Sequence, residues 1–284
     1  MIKMNIRITI LCENTVGNSL SALGEHGFAA FIETGSGNYL FDTGQGHTIL
    51  HNAKFLKKDL TSIKRISLSH GHYDHTGGIL NVLRLKGNLN INAHPFVFSR
   101  KYALLKTNGK ETKRYIGMKF KKEYLEKQGA EFVLNSSLAE VAEGIYLTGE
   151  VPRMTDFEKG DKRLLVEDNG SLVPDPLLDD QSLILKTKKG LVIILGCAHS
   201  GLINTLQHIV SNFKDEKIHT IIGGTHLGFL KEEQLDKTIS HLKRYDFKSL
   251  GASHCTGLKA AARLFHEFKE KFFFANVGTS VVID

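Results

Sequence analysis

The apolar positions of this chain fall into short runs bounded by Gly, Asn and Ser. Residues 1–10 alternate in a β-rich pattern, and residues 27–33 form a second apolar run. Asn38-Tyr-Leu-Phe41 follows a Gly-Ser-Gly turn, so this region predicts a hairpin. In 47–56, Ile49, Leu50, Ala53 and Leu56 stand at helical spacing. Residues 65–69 read as a buried strand ending at His70, 79–85 as a helix and 88–93 as a strand. From Pro95 to about Gly129 the pattern turns basic and irregular, which suggests an insertion. Strands resume at 131–134 and 145–147, while 158–176 is polar and turn-rich.

The last third repeats one unit. Strand 191–195 leads through Gly-Cys-Ala-His-Ser-Gly to a helix over 202–213. Strand 218–222 leads through Gly-Gly-Thr-His-Leu to a helix over 232–245, and strand 249–253 through His-Cys-Thr-Gly to a helix over 258–268. A strand at 272–276 follows. Each unit puts a histidine just past a strand end. Three such histidines can meet on one rim of a sheet, where layered α/β proteins commonly bind ligands.

Composition narrows the class. The chain has 284 residues, 41% hydrophobic and 24% charged, so it can bury one large core. No apolar run is long enough to span a bilayer. The N-terminal segment reads as a strand rather than a secretory leader. Cys12, Cys197 and Cys255 are too widely spaced for a CxxC pair, and three cannot form an even disulfide framework. These features predict a cytoplasmic protein with no membrane partner. Net charge is +7, and between Arg100 and Gln128 ten basic residues face three acidic ones. That segment predicts a small anionic substrate, with Lys119, Lys121 and Lys122 as candidate contacts, or else a solvated surface face.

The chemistry concentrates in Ser69-His-Gly-His-Tyr-Asp-His-Thr-Gly-Gly78. His70, His72, Asp74 and His75 are four candidate metal ligands. His70 and His72, one residue apart in an extended loop, can face one side. Imidazoles with a carboxylate suit zinc, manganese or iron better than calcium or magnesium. Structural zinc sites favour cysteine-rich closed tetrahedra, so a His/Asp cluster with further loop histidines points to catalysis.

With these motifs in view, the sequence resembles the metallo-β-lactamase superfamily, whose hallmark is the His-x-His-x-Asp-His pattern at 70–75. Phe41-Asp-Thr-Gly44 is similar to that family's earlier aspartate motif, and Gly223-Gly-Thr-His226 and Ser253-His-Cys-Thr-Gly257 to its late strand-end motifs. Together with Glu25-His-Gly27 and Gly196-Cys-Ala-His-Ser-Gly201, they resemble the branch of dihydropterin ribofuranosyl-aminobenzene 5′-phosphate synthases. The resemblance implies one domain over 1–284, an αβ/βα four-layer sandwich, with 95–130 as a basic insertion or small subdomain.

It also implies two divalent metal ions, zinc first, with manganese or iron as alternatives. His70 and His72 would hold one ion, and Asp74, His75 and His254 the other. The usual histidine before strand 191–195 is missing, since Asp179-Asp180-Gln181-Ser182 stands there. His199 is the preferred replacement, with Cys197 or Asp180 as alternatives. Cys197 aligns with the family's bridging aspartate, and Asp42 is a candidate ligand or outer partner. His26 is a candidate substrate contact. His94, His208, His219, His241 and His266 read as surface or structural residues.

Two such metals about 3.5–4 Å apart can hold a hydroxide nucleophile. Asp74 would orient it, and His226 would stabilise a substrate oxygen or protonate the leaving group. The expected activity is hydrolysis of a phosphate ester of a small nucleotide- or pterin-like molecule. Alternatives are a carboxylic ester, thioester or lactone hydrolase, an RNA- or DNA-processing nuclease, and a non-hydrolytic metal-dependent binding or redox protein. Few aromatics interleave the basic residues, which weighs against a nucleic-acid partner.

Overall fold

A computed structural model describes residues 6–18, 20–107 and 109–284. Residues 1–5 of the expected N-terminal strand lie outside the described residues. Two seven-stranded sheets form the centre. The first runs, in spatial order, Ser280–Ile283, Ile6–Cys12, Ala29–Thr34, Gly37–Phe41, Ile63–Ser67, Leu89–Ala93 and Ala130–Leu134. The second runs Phe272–Phe274, Ser249–Ser253, Ile218–Gly224, Gly190–Leu195, Ser182–Thr187, Ile145–Leu147 and Ala139–Ala142.

Strand alternation explains the layering. Ile6, Ile8 and Ile10 pack with Val192, Ile194 and Leu183 in a core between the sheets. On the opposite faces, Phe31 and Leu40 pack under the helices Ile49–Phe55 and Ile79–Lys86. Leu191, Ile193 and Leu195 pack under Leu202–Asn212, Glu232–Leu242 and Gly257–Phe268. Each central strand is therefore buried on both faces, which is why it reads as a continuous apolar run rather than a half-polar one. The result is the four-layer αβ/βα sandwich. The strands Ile63–Ser67, Gly190–Leu195, Ile218–Gly224 and Ser249–Ser253 all end at the same rim, carrying the motif loops.

The basic segment is divided differently from the single insertion expected at 95–130. The helix Lys122–Lys127 and strand Ala130–Leu134 belong to the first sheet, where Leu89–Ala93 and Ala130–Leu134 pair in parallel. Only Lys101–Thr107 and Lys110–Tyr115 leave it. They join Leu164–Asp168 and Ser171–Pro174 in a separate four-stranded antiparallel sheet. The turn-rich 158–176 thus contributes a hairpin that its polar composition hid. Lys101 is fully buried between Asp175 Oδ2 at 3.0 Å and Asp179 Oδ1 at 2.8 Å. Arg100 pairs with Glu167 and Lys122 with Glu126. Part of the basic excess is thereby neutralised, inside the fold at Lys101 and at the surface in the other two pairs.

Among the described residues, no helix is long and apolar enough to cross a membrane.

Candidate metal centre

The loop 69–78 is bound to the first sheet by its backbone. Thr43 N–H donates to His75 C=O at 2.8 Å, and Phe28 N–H to Asp74 C=O at 3.2 Å. A Cβ on Gly71 would collide with the Val97 carbonyl, so only glycine lets the chain pass between His70 and His72. Asp42, Ala198, His226 and His254 adopt φ of 57, 51, 54 and 51°. Left-handed backbone is costly for non-glycine residues and concentrates at functional sites. Here it falls on four of the loops that face one another.

Those loops bring His70, His72, Asp74, His75, His199 and His254 together around Cys197. His70 Nε2 lies 2.8 Å from His72 Nδ1 and 3.3 Å from His199 Nε2. His75 Nε2 lies 3.2 Å from His254 Nε2, and Asp74 Oδ2 lies 3.3 Å from the same His254 nitrogen. Cys197 Sγ belongs to both sets. It groups with His70 and His199 on one side and with His75 and His254 on the other, at 3.2 Å from His75 Nε2. The two roles weighed for this loop are therefore compatible. His199 is placed where it could supply the missing nitrogen, and the Cys197 thiol stands between the groups where a carboxylate was expected.

One buried carboxylate orients an imidazole in each group. Asp42 accepts His75 Nδ1–H at 2.7 Å, Ser69 Oγ–H at 2.6 Å and Ser69 N–H at 2.7 Å. Since the Ser69 hydroxyl donates to Asp42, its oxygen accepts from His70 Nδ1–H at 2.9 Å. Asn14 Oδ1 accepts His254 Nδ1–H at 2.9 Å. With Nδ1 held by these acceptors, the Nε2 atoms of all three rings point at the centre. Facing ring nitrogens at such separations need a cation between them, either a proton, as His75 carries without a metal, or a metal ion. That donor set, with a carboxylate and a thiol added, fits divalent metal ions.

Electrostatics separate the two groups. Burial pushes His70 and His199 well below the ordinary histidine value, and neighbouring rings reinforce it. Burial, with Lys101 next, takes His72 down to about 3. Burial also opposes charge on His75, but Asp42 and Asp74 outweigh it and lift this ring to about 9. Burial works against the Asp74 carboxylate too, and His75, His254 and His26 overcome it, holding the group well below the usual carboxylate range.

The remaining candidates take other places. Asp42 is an outer partner and not a member of either ligand group. Asp180 Oδ2 accepts Ser200 N–H at 2.8 Å and supports the 196–201 loop from below, outside the ligand groups. His26 Nε2 sits 3.1 Å from Asp74 Oδ2, at the exposed edge of the second group. His226 Nε2 donates to Asp161 Oδ2 at 3.2 Å, and its Nδ1 is buried without a partner.

A cavity of about 310 Å³ opens over this floor. Leu104, Leu105 and Leu164 of the four-stranded sheet, with Ile116 just past its strand Lys110–Tyr115, form an apolar wall, with Arg114 and Arg163 among the lining residues. Lys119, Lys121 and Lys122, all expected as contacts, are not among its lining residues. Lys121 precedes the helix Lys122–Lys127, and the Lys122 ammonium lies over Phe98. Lys119 remains nearby, with its ammonium 5.9 Å from the Tyr73 ring centre. Arg114, Asp161 and Arg163 were missed because they come from strands and turns that carry no motif.

Known proteins place the chain in a family. Residues 23–199 match the metallo-beta-lactamase superfamily model. A curated relative from Methanocaldococcus jannaschii, named 7,8-dihydropterin-6-methyl-4-(beta-D-ribofuranosyl)-aminobenzene-5′-phosphate synthase, is 34% identical over 96% of this chain and 95% of its own. An uncharacterised protein of the same organism is 32% identical over 97% of this chain and 100% of its own. The crystal structure of Tm1679, described as a metal-dependent hydrolase of the beta-lactamase superfamily, superposes with a TM-score of 0.82 at 28% identity. It covers 98% of this chain and 99% of that one. With its fold, its convergent imidazoles and these relatives, the chain belongs to the metallo-β-lactamase superfamily.

Proposed function

We propose that this chain is a metal-dependent hydrolase acting on a phosphate ester of a small nucleotide- or pterin-like molecule. The observation that carries the reading is the floor of converging His, Asp and Cys donors opening into a cavity with an apolar wall. His70, His72 and His199 would hold one ion, Asp74, His75 and His254 a second, and Cys197 would reach both. Divalent ions bound there supply Lewis acidity toward phosphoryl oxygens and lower the pKa of bound water to roughly 7.

The protein's own groups then have distinct tasks. Asp42 and Ser69 fix the tautomers of His70 and His75 in both groups. The Asp74 carboxylate stays ionised and can accept a proton from an incoming water. Burial opposes charge on His226, but Asp161 and Cys255 together outweigh it and lift the ring to about 9, so the ring carries a proton at neutral pH. Its Nε2–H meets Asp161 in a long bond at the cavity edge. A leaving oxygen that takes the place of that carboxylate would receive the proton. The apolar wall suits the flat face of an aromatic or heterocyclic ring.

A second reading follows from the 34% identical relative, which is named a synthase. The same centre would then pass the substrate fragment to an acceptor rather than to water. Metal analysis combined with a phosphomonoester and phosphodiester panel, on wild type and His72→Ala, decides between them. The hydrolase reading expects two equivalents of metal and turnover without an added acceptor, lost in the variant. Turnover only in the presence of an aromatic amine acceptor would establish transfer instead. No turnover on any ester after metal addition would sink the hydrolase.

A further inference from the structure

The cavity rim carries two arginine–aromatic pairs, and they differ in charge. On one side the Arg163 guanidinium lies 5.2 Å from the Phe229 ring centre, and Asp161 pairs with it directly. On the other side the Arg114 guanidinium lies 5.1 Å from the Tyr73 ring centre and donates to the Tyr73 hydroxyl at 3.1 Å. The Lys119 ammonium lies over the same ring and donates to the Gln45 carbonyl at 3.1 Å. Among the described residues, no carboxylate lies within 4.0 Å of Arg114 or Lys119. Tyr73 therefore carries two uncompensated cations, whereas Phe229 carries a neutralised one.

We propose that Arg114 and Lys119, organised on Tyr73, are specificity determinants that bind a second anionic group of the substrate, away from the metal floor. The substrate class is then a molecule with an apolar, ring-like body and two separated anionic ends. The inner end faces the His/Asp/Cys floor, and assigning it as a phosphate rests on the phosphate-ester reading above. The outer end, a carboxylate or phosphate, meets the Arg114 fork and the Lys119 ammonium. The body lies along Leu104, Leu105 and Ile116.

Three features support the assignment. Arg114 lies within the strand Lys110–Tyr115, opposite Ala103 of Lys101–Thr107, so its backbone is set by a sheet rather than by a free loop. Stacking against an aromatic face and bonding to its hydroxyl limit the side chain's freedom, which lowers the entropic cost of holding an anion. Tyr73 is itself adjacent to Asp74, with its N–H on the Ile116 carbonyl at 2.9 Å, so the outer anchor is tied by one residue to the metal loop. Charge at that rim is thereby linked in position to the reacting end.

The test uses metal-loaded protein and two probes, phenyl phosphate and 4-carboxyphenyl phosphate, with a 4′-carboxybiphenyl phosphate to vary the reach. Binding is measured by calorimetry, and phosphate release is followed separately. Wild type is expected to bind at least one of the two carboxylated probes about tenfold or more tighter than phenyl phosphate. In the Arg114→Gln/Lys119→Gln double variant that ratio should fall toward one, while metal content stays at the wild-type value. Arg163→Gln, which removes a cation already paired with Asp161, should leave the ratio standing. Equal affinity of wild type for all three probes, or collapse of the ratio in Arg163→Gln instead, would overturn the assignment. Preference without phosphate release would reject hydrolysis yet retain the anchor, and release without preference would do the reverse.

Discussion

The two halves of the metal centre are built from similar residues but held in different electrostatic states. His70, His72 and His199 sit where burial dominates, their pKa values are pushed down, and His72 Nε2 and His199 Nδ1 have no partner. Around Asp74, His75 and His254 stand Asp42, Glu13, Asn14 and His26, each bonded to a member of the group. The first half offers a cation lone pairs alone. The second has negative charge already in place and more fixed geometry. The difference teaches that equal ligand numbers do not imply equal retention, because surrounding charge decides how far a site favours a cation over an empty, neutral state.

The largest expected effect lies beneath the first half. Lys101 is buried between Asp175 and Asp179, and Asp179 also accepts Gly71 N–H at 2.7 Å, between His70 and His72. Lys101→Met would leave two buried carboxylates without a cation, at a cost of about 3–5 kcal/mol in unfolding free energy. Urea unfolding measures it. Burial opposes the Asp179 charge, yet Lys101 outweighs it and lowers the pKa. In wild type, stability from Asp179 is thus present above the unfolded carboxylate value and lost as pH falls through the folded one. In the variant both carboxylates are raised, so stability is lost as pH rises. The gap between the two proteins should narrow on acidification toward about pH 4. A gap independent of pH would assign the loss to packing instead.

Next comes the residue that joins the halves. Asp42→Asn keeps the volume but weakens acceptance from His75 Nδ1 and the Ser69 hydroxyl, which in turn holds His70. Metal affinity should fall about 10–100-fold at both sites. Titration with a competing chromogenic chelator reads the two constants. If only one weakens, the shared support through Ser69 is wrong.

Chelation of wild type sharpens the comparison further. The first ion should leave before the second, with midpoints separated by roughly tenfold in chelator. His199→Ala should abolish the early step, and His254→Ala the late one. Loss of both ions in a single step would show that Cys197, grouped with each half, couples them more strongly than their charges separate them.

Much of the sandwich was visible in the chain because its central strands are buried on both faces and its helices carry one apolar side. The repeated unit at 191–268 announced both the parallel half-sheet and the rim. The candidate ligands His70, His72, Asp74 and His75 were legible for a related reason. They lie within one short loop, so their spacing alone brings them together. Arg114 and Asp161 were not legible. Their place depends on strands Lys101–Thr107 and Leu164–Asp168 pairing across more than fifty residues, in segments whose exposed faces erase the apolar rhythm. The same pairing took Lys101 from an apparent surface charge to a buried ion pair. Asp180 looked like a ligand in sequence order, but its carboxylate turns beneath the loop to meet Ser200.

The smallest predicted effect concerns the second half alone. Asn14 Oδ1 accepts the His254 Nδ1–H and so fixes which nitrogen of that ring faces Asp74 and His75. Asn14→Ala frees the ring to exchange tautomers, but leaves the His254 backbone N–H on Glu13 and the whole of the first half untouched. Affinity for the later-leaving ion should drop by about tenfold, the low end for an outer hydrogen-bond partner, with the earlier-leaving ion unchanged. The chelator separation between the two ions would then close. A wider separation, or a loss confined to the earlier ion, would mean that the tighter site is the nitrogen-rich half and that the carboxylates around His254 do not set the order of retention.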